Sequence, residues 1–247
     1  VPPGRPRARG GPGYGGRHPD RIRGRDDGRV RLEPITWERL TAALADRIAD
    51  LPARTPSEGE ERPWLRVGVD GAPPARPGAL AGRLAEALRV RGRPVHVVSA
   101  DGFLRAASLR YEFGKRDPDA YYDLWYDTGA LWREVFDPLE PGGDGLVLPD
   151  LRTSAADRPT RSARVRLPPG GVMLLHGPFL LGRWFPFDMS VHLGLSAGAL
   201  ERQSEPDERW RLPAFARYEQ EADPQEAADV FVRADDPRRP AWNGCDA

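Results

Sequence analysis

Lysine is almost absent from this chain. Of 247 residues only Lys115 is lysine, while Lys and Arg together number 37. Chemistry that needs an ammonium at any other position is excluded. Cysteine is as scarce, with Cys245 alone near the C-terminal end. One cysteine rules out an internal disulfide and a cysteine-based metal cluster, and makes a reducing cytoplasm the expected setting. No apolar run approaches the ~20 residues that cross a bilayer. The Arg-rich opening is followed by no apolar stretch of the signal-peptide kind. Net charge is absent too, with 37 basic and 37 acidic residues, which argues against nucleic-acid binding by the chain as a whole. The four histidines do not fall into metal-ligand spacings.

What is present is unevenly placed. Residues 1–32 hold nine Arg against three Asp and almost no apolar residues. Residues 1–33 are therefore expected to be a disordered Gly/Pro/Arg-rich arm, either a plain solvated tail or a segment that contacts RNA or another polyanion. Residues 34–63 read as a helix and a linker, 64–240 as one α/β domain, and 241–247 as a tail. Thr36 is placed to cap a helix over Trp37–Leu51, with Leu40, Leu44 and Ile48 on one face. Leu65–Asp70 reads as a buried strand, Pro77–Val90 as a helix and Pro94–Ala100 as a second strand. Further buried strands are expected at Gly171–Gly177, Ser190–Ser196 and Ala228–Ala234. One long helix is expected over Asp117–Leu139 and another over Trp210–Glu221, with an irregular excursion at 145–168. Continuous apolar strands alternating with helices predict a mostly parallel five-stranded sheet covered on both faces, a three-layer α/β fold.

The most informative segment is Val67-Gly68-Val69-Asp70-Gly71-Ala72-Pro73-Pro74-Ala75-Arg76-Pro77-Gly78. Strand, glycine turn and helix form the context of a phosphate-binding loop, whose pattern is G-x-x-x-x-G-K-[ST]. Gly71 falls on the first glycine, but Arg76, Pro77 and Gly78 stand where Gly, Lys and Ser/Thr belong. Such a loop cradles phosphates with backbone N–H groups, a lysine and a metal-binding hydroxyl. Three prolines supply no N–H, Pro77 supplies no charge and Gly78 no hydroxyl. Arg76 is the candidate surrogate cation, or else a solvated residue at the start of the helix.

From about residue 34 to 240 the order of motifs resembles the uridine kinase branch of the P-loop nucleoside kinases, in an actinobacterial type. The resemblance rests on the turn at Gly68–Gly78, Asp101-Gly102-Phe103-Leu104 after the second strand, Asp117-Pro118-Asp119-Ala120-Tyr121, His176-Gly177 closing the third strand, and the Arg-bearing segment 199–211 in the place of a mobile lid. It implies a P-loop kinase-like fold and phosphoryl transfer from ATP, with Mg2+, to a hydroxyl of a nucleoside or similar small molecule. It casts Asp101 as the base, and Gly68, Asp70, Gly71, Ala72, Ala75, Arg76, Gly78, Arg202 and Arg211 as the phosphate and nucleotide side. Phe103, Tyr111, Asp119, Tyr121, Asp157 and Arg161 become the acceptor side. The alternatives read from the same residues stay open: Asp101 as a turn residue, Asp119 as a helix cap, Phe103 and Tyr111 as packing, the lid arginines as a salt-bridged surface. With the loop so altered, a non-catalytic nucleotide- or nucleoside-binding protein is the competing expectation. His176 stands where that family tends to have Glu and cannot serve Mg2+, which prefers oxygen ligands.

Overall fold

The computed structural model describes residues 32–51, 64–153 and 156–244. The basic arm up to residue 31, the linker at 52–63 and Cys245 lie outside the described residues. The main sheet has seven strands, not the five expected: β1 Glu33–Pro34, β2 Leu65–Gly71, β3 Val95–Ser99, β4 Val172–Gly177, β5 Met189–Gly194, β6 Val230–Arg233 and β7 Ala241–Trp242, in the order β1-β7-β6-β5-β2-β4-β3. The five from β6 to β3 are parallel. The two extra strands are antiparallel pairs of two residues each at one edge. Segments that short carry no periodicity, so the sequence did not display them.

The principal helices are α1 Trp37–Asp50, α2 Pro77–Val90, α3 Pro118–Asp123, α4 Ala197–Gln203 and α5 Leu212–Ala222. Thr36 does cap α1, its hydroxyl accepting from the Arg39 N–H at 3.3 Å. Alternation along the central strands sends side chains to opposite faces. Val67, Val69, Leu174 and Val191 meet Leu40, Leu44 and Ile48 of α1 and Leu80, Leu84 and Leu88 of α2. Met173 and Leu175 face a second layer rich in aromatics, including Phe103, Tyr121, Phe136, Phe179 and Phe215.

The expected helix over Asp117–Leu139 is broken. α3 ends at Asp123, a new helix runs over Thr128–Leu131, a π turn over Trp132–Phe136 and a 3-10 turn over Asp137–Leu139. The cause is local chemistry. Asp127 accepts from the Ala130 N–H at 2.8 Å and so starts a helix of its own, while Tyr126 makes a β-bridge to Leu104. That break turns Trp125 and Tyr126 toward the end of β3. α3 is capped by Asp117, whose carboxylate accepts from Ala120 N–H at 2.7 Å; Asp119, read as a possible cap, lies inside the helix.

β2 lies between β4 and β5 at the middle of the sheet. Growth of the sheet reverses direction about it, and in open α/β sheets ligands bind beyond the carboxyl ends of strands at such a point.

Candidate functional site

β2 delivers Asp70 and Gly71 to the carboxyl edge of the sheet, and Pro73–Ala75 make one 3-10 turn before α2. The Ala75 N–H donates to the Ala72 carbonyl at 2.9 Å and the Arg76 N–H to the Pro73 carbonyl at 3.0 Å. Two of the loop's amides are thus used within the turn. Arg76 has φ 58° and ψ 52°, a left-handed conformation that costs a residue with a Cβ ~1–2 kcal/mol. The backbone is thus of the glycine type at the position that the motif gives to its second glycine. The Arg76 side chain is exposed and lines a small recess of about 110 Å³ with Trp37, Ala75, Arg83 and Gln203. It does not line the cavity that holds Asp101, so the candidate surrogate cation and the candidate base line different cavities.

At Gly78 a Cβ would lie 2.9 Å from Cε1 of His176. The imidazole occupies the space next to the position of the motif's hydroxyl. Burial pushes the His176 pKa down, with Asp101 pulling the other way, so the ring is neutral at neutral pH. Gly78 has no oxygen to offer, and the Asp70 carboxylate is fully buried and already engaged. Among the described residues no group of three or more His, Cys, Asp or Glu is arranged to hold a metal. These residues do not fit a directly ligated Mg2+.

The cavity at Asp101 has a volume of about 380 Å³ and is lined by Pro73, Asp101, Arg110, Tyr111, Tyr121, Trp125, Tyr126 and Arg211, with Leu104. It brings the loop, the strand-end carboxylate and the lid arginine to one place. Asp101 is exposed and accepts from the Tyr126 hydroxyl at 3.2 Å. Burial raises the Tyr126 pKa well above the ordinary phenol value, so this hydroxyl remains a donor. Arg211 also lines the groove over Pro73 and Pro74. Its guanidinium lies 4.8 Å from the Tyr121 ring centre and 5.4 Å from that of Trp125, and its Nε is 2.7 Å from Glu208. Arg110 stacks 5.0 Å from both Tyr111 and Trp125 and is paired with Asp157 at 3.2 Å.

Of the acceptor-side residues, Tyr111 and Tyr121 line this cavity. A guanidinium lies over each ring, Arg110 over Tyr111 and Arg211 over Tyr121. Phe103 is wholly buried in the core and does not reach a ligand. Asp119 points to the surface, paired with Arg217 at 3.2 Å. Asp157 acts at one remove. It receives the Ala107 N–H at 3.0 Å and holds Arg110 against the cavity, and those contacts, the Ala107 N–H foremost, keep its carboxyl below the usual range. Arg161 and Arg202 are exposed and line none of these cavities. Gly68 lies within β2, where a Cβ would come within 2.9 Å of the Phe187 ring; its smallness serves packing, not phosphate. Gly71 likewise admits Leu193 of β5, whose carbonyl oxygen would be 3.0 Å from a Cβ.

Asp70 was a candidate for the phosphate and metal side and has a different place. It is 0% exposed. Its carboxylate accepts from the Leu180 N–H at 2.9 Å and the Tyr218 hydroxyl at 2.9 Å, and meets Nδ1 of His192 at 2.6 Å. Ala72 and His192 line a different cavity, of about 330 Å³, beneath α4 and α5. Sequence reasoning missed Arg110, Trp125, Tyr126 and this Asp70–His192–Tyr218 cluster. The signal for Trp125 and Tyr126 is the Asp127-Thr128-Gly129 helix start that interrupts the aromatic run.

No protein-family model matches the chain, and no curated protein matches its sequence. Solved structures do match. A possible uridine kinase from Bacillus stearothermophilus superposes with a TM-score of 0.61 at 22% identity, over 78% of this chain and 98% of that one. A candidate fructose transport system kinase from Silicibacter sp. TM1040 gives 0.50 at 24% identity, over 76% and 94%. At such identities the likeness shows the fold alone, an α/β architecture shared with these two structures. No described helix is long and apolar enough to cross a membrane.

Proposed function

We propose that this chain is a kinase-like phosphotransferase that moves the terminal phosphoryl group of ATP to a hydroxyl of a nucleoside or related small molecule, slowly, because its loop lacks the usual lysine and hydroxyl. The observation that carries the proposal is the single cavity lined by Pro73 of the loop, the Asp101 carboxylate and the Arg211 guanidinium. Asp101 takes the proton from the acceptor hydroxyl, the oxygen attacks the terminal phosphorus, and ADP leaves. Phosphoryl transfer depends on positioning and on charge neutralisation. A cation ~4 Å from one phosphate charge contributes on the order of 4 kcal/mol at an effective dielectric near 20, and losing it slows transfer roughly a thousandfold. Arg211 is better placed than Arg76 to restore part of that, since it borders both the loop groove and the Asp101 cavity.

The test is ATP turnover against a panel of nucleosides and sugars, with Asp101→Asn and Arg211→Gln beside the wild type. Asp101→Asn should lower kcat by about a hundredfold or more with ligand binding retained. Equal turnover in that variant overturns the assignment of the base. A second reading, a non-catalytic binder of the same ligands, is favoured by the imidazole of His176 beside Gly78 and by the left-handed, outward Arg76. Binding of the panel by calorimetry with no turnover in the wild type would establish that reading instead.

A further inference from the structure

The cavity beneath α4 and α5 lies apart from Asp101 and has its own chemistry. Its walls are apolar and aromatic, with Phe179, Leu193, Leu200, Leu212 and Phe215 among them. The titratable groups in its lining are His192, Glu201, Tyr218 and Glu219, and no Lys or Arg lines it. His192 is 3% exposed. The 2.6 Å contact of Nδ1 with the Asp70 carboxylate orients the ring. Nε2 is then the free nitrogen. The polar atom near it is the Glu219 carboxylate, 3.8 Å away and beyond hydrogen-bond length. Among the described residues none lies within hydrogen-bond length of Nε2, which leaves it open to water or to a polar group of an occupant.

We propose that this cavity binds a hydrophobic amine. The apolar body packs on Phe179, Leu200 and Phe215, and the ammonium donates to Nε2 of His192 and to Glu219, which are close enough for one nitrogen to serve both. Aromatic faces and carboxylates in a lining that holds no Lys or Arg suit a positive head group and disfavour a carboxylate or phosphate; Arg233, which also acts on Glu219, lies outside that lining. The volume of about 330 Å³ lies at the lower end of the range for small-molecule sites. Ala72, the residue after Gly71, is in the wall and Asp101 is not, so an occupant would touch the loop without lining up with Asp101. The site is independent of whether Asp101 transfers phosphate.

The test uses the whole chain and three matched probes, tryptamine, 3-ethylindole and indole-3-propionate, by isothermal calorimetry and saturation-transfer NMR without ATP. Tryptamine should bind, with the acid at least about tenfold weaker and the neutral compound between them. Glu219→Gln, at a half-exposed side chain, should weaken tryptamine about tenfold and leave 3-ethylindole unchanged. Ala216→Trp, at an exposed α5 position in the lining, should abolish binding of all three while the circular dichroism spectrum stays native. Equal binding of the amine and the acid, tryptamine binding untouched by either substitution, or no tryptamine binding at millimolar concentration would each overturn the proposal.

Discussion

Restoring the motif's hydroxyl by Gly78→Ser should damage the protein, not repair it. A Cβ at that position would lie 2.9 Å from Cε1 and 3.2 Å from Nδ1 of His176, closer than packed side chains tolerate, so ring or helix must move. Overpacking of this kind costs ~1–3 kcal/mol. Replacing a helical glycine returns up to ~1 kcal/mol through chain entropy. A net loss of about 1–2 kcal/mol is expected, which at ~2–4 °C per kcal/mol for a domain of this size lowers Tm by several degrees. His176→Ala opens the space, so Gly78→Ser should be neutral or stabilising in that background. Urea unfolding of the four proteins of this cycle measures the coupling, expected to be at least ~1 kcal/mol. If Gly78→Ser alone is within about 0.5 kcal/mol of the wild type and the two changes add, the ring does not block the site.

The remaining predictions concern stability. Arg66 is 2% exposed on β2 and is held by Glu140 at 2.5 Å and Asp188 at 3.2 Å; Arg66→Ala removes this buried cation, most of all from Asp188, and should cost about 3–5 kcal/mol in urea unfolding, whereas a loss under about 1 kcal/mol would show that water replaces the guanidinium. Burial pushes the Glu219 carboxyl above its usual range, aided by Asp70 and opposed by His192. The folded state therefore holds that proton more tightly, and the stability it contributes is present below about pH 4.3 and lost as pH rises through the raised folded value. Stability of Glu219→Gln measured from pH 4 upward should fall less steeply than that of the wild type; parallel curves would refute it.

The strands and helices that build the sheet were legible because burial imposes its period on them. β2, α2 and β4 begin or end within a residue of the expected positions, since Val67, Val69 and Leu174 are apolar for the same reason that they are inside. Asp101 and Arg211 are singled out by the order of motifs, and both line one cavity, which by itself assigns neither a role. The place of Arg76 was not. Proximity in sequence to the lysine position says nothing about the direction of a side chain whose backbone is left-handed. Nor could a pattern of apolar residues reveal Asp70 with His192, 122 residues apart, or Arg66 inside the aromatic layer. Polar groups satisfied by distant partners leave no local trace, and read alone they look like surface or active-site residues.

The edge strands carry a consequence for biosynthesis. Glu33 and Pro34 find their ladder partners at Trp242 and Ala241, and the Trp37 indole donates 2.8 Å to the Pro237 carbonyl, 200 positions downstream. A ribosome delivers the first of these segments long before the last, at about 5–20 residues per second. For that interval of ten seconds or more, this border of the nascent sheet stays unzipped, and β6 has only a parallel neighbour on one side. A nascent chain arrested before residue 237 should therefore be more readily captured by chaperones or cut by proteases than one released a few residues later.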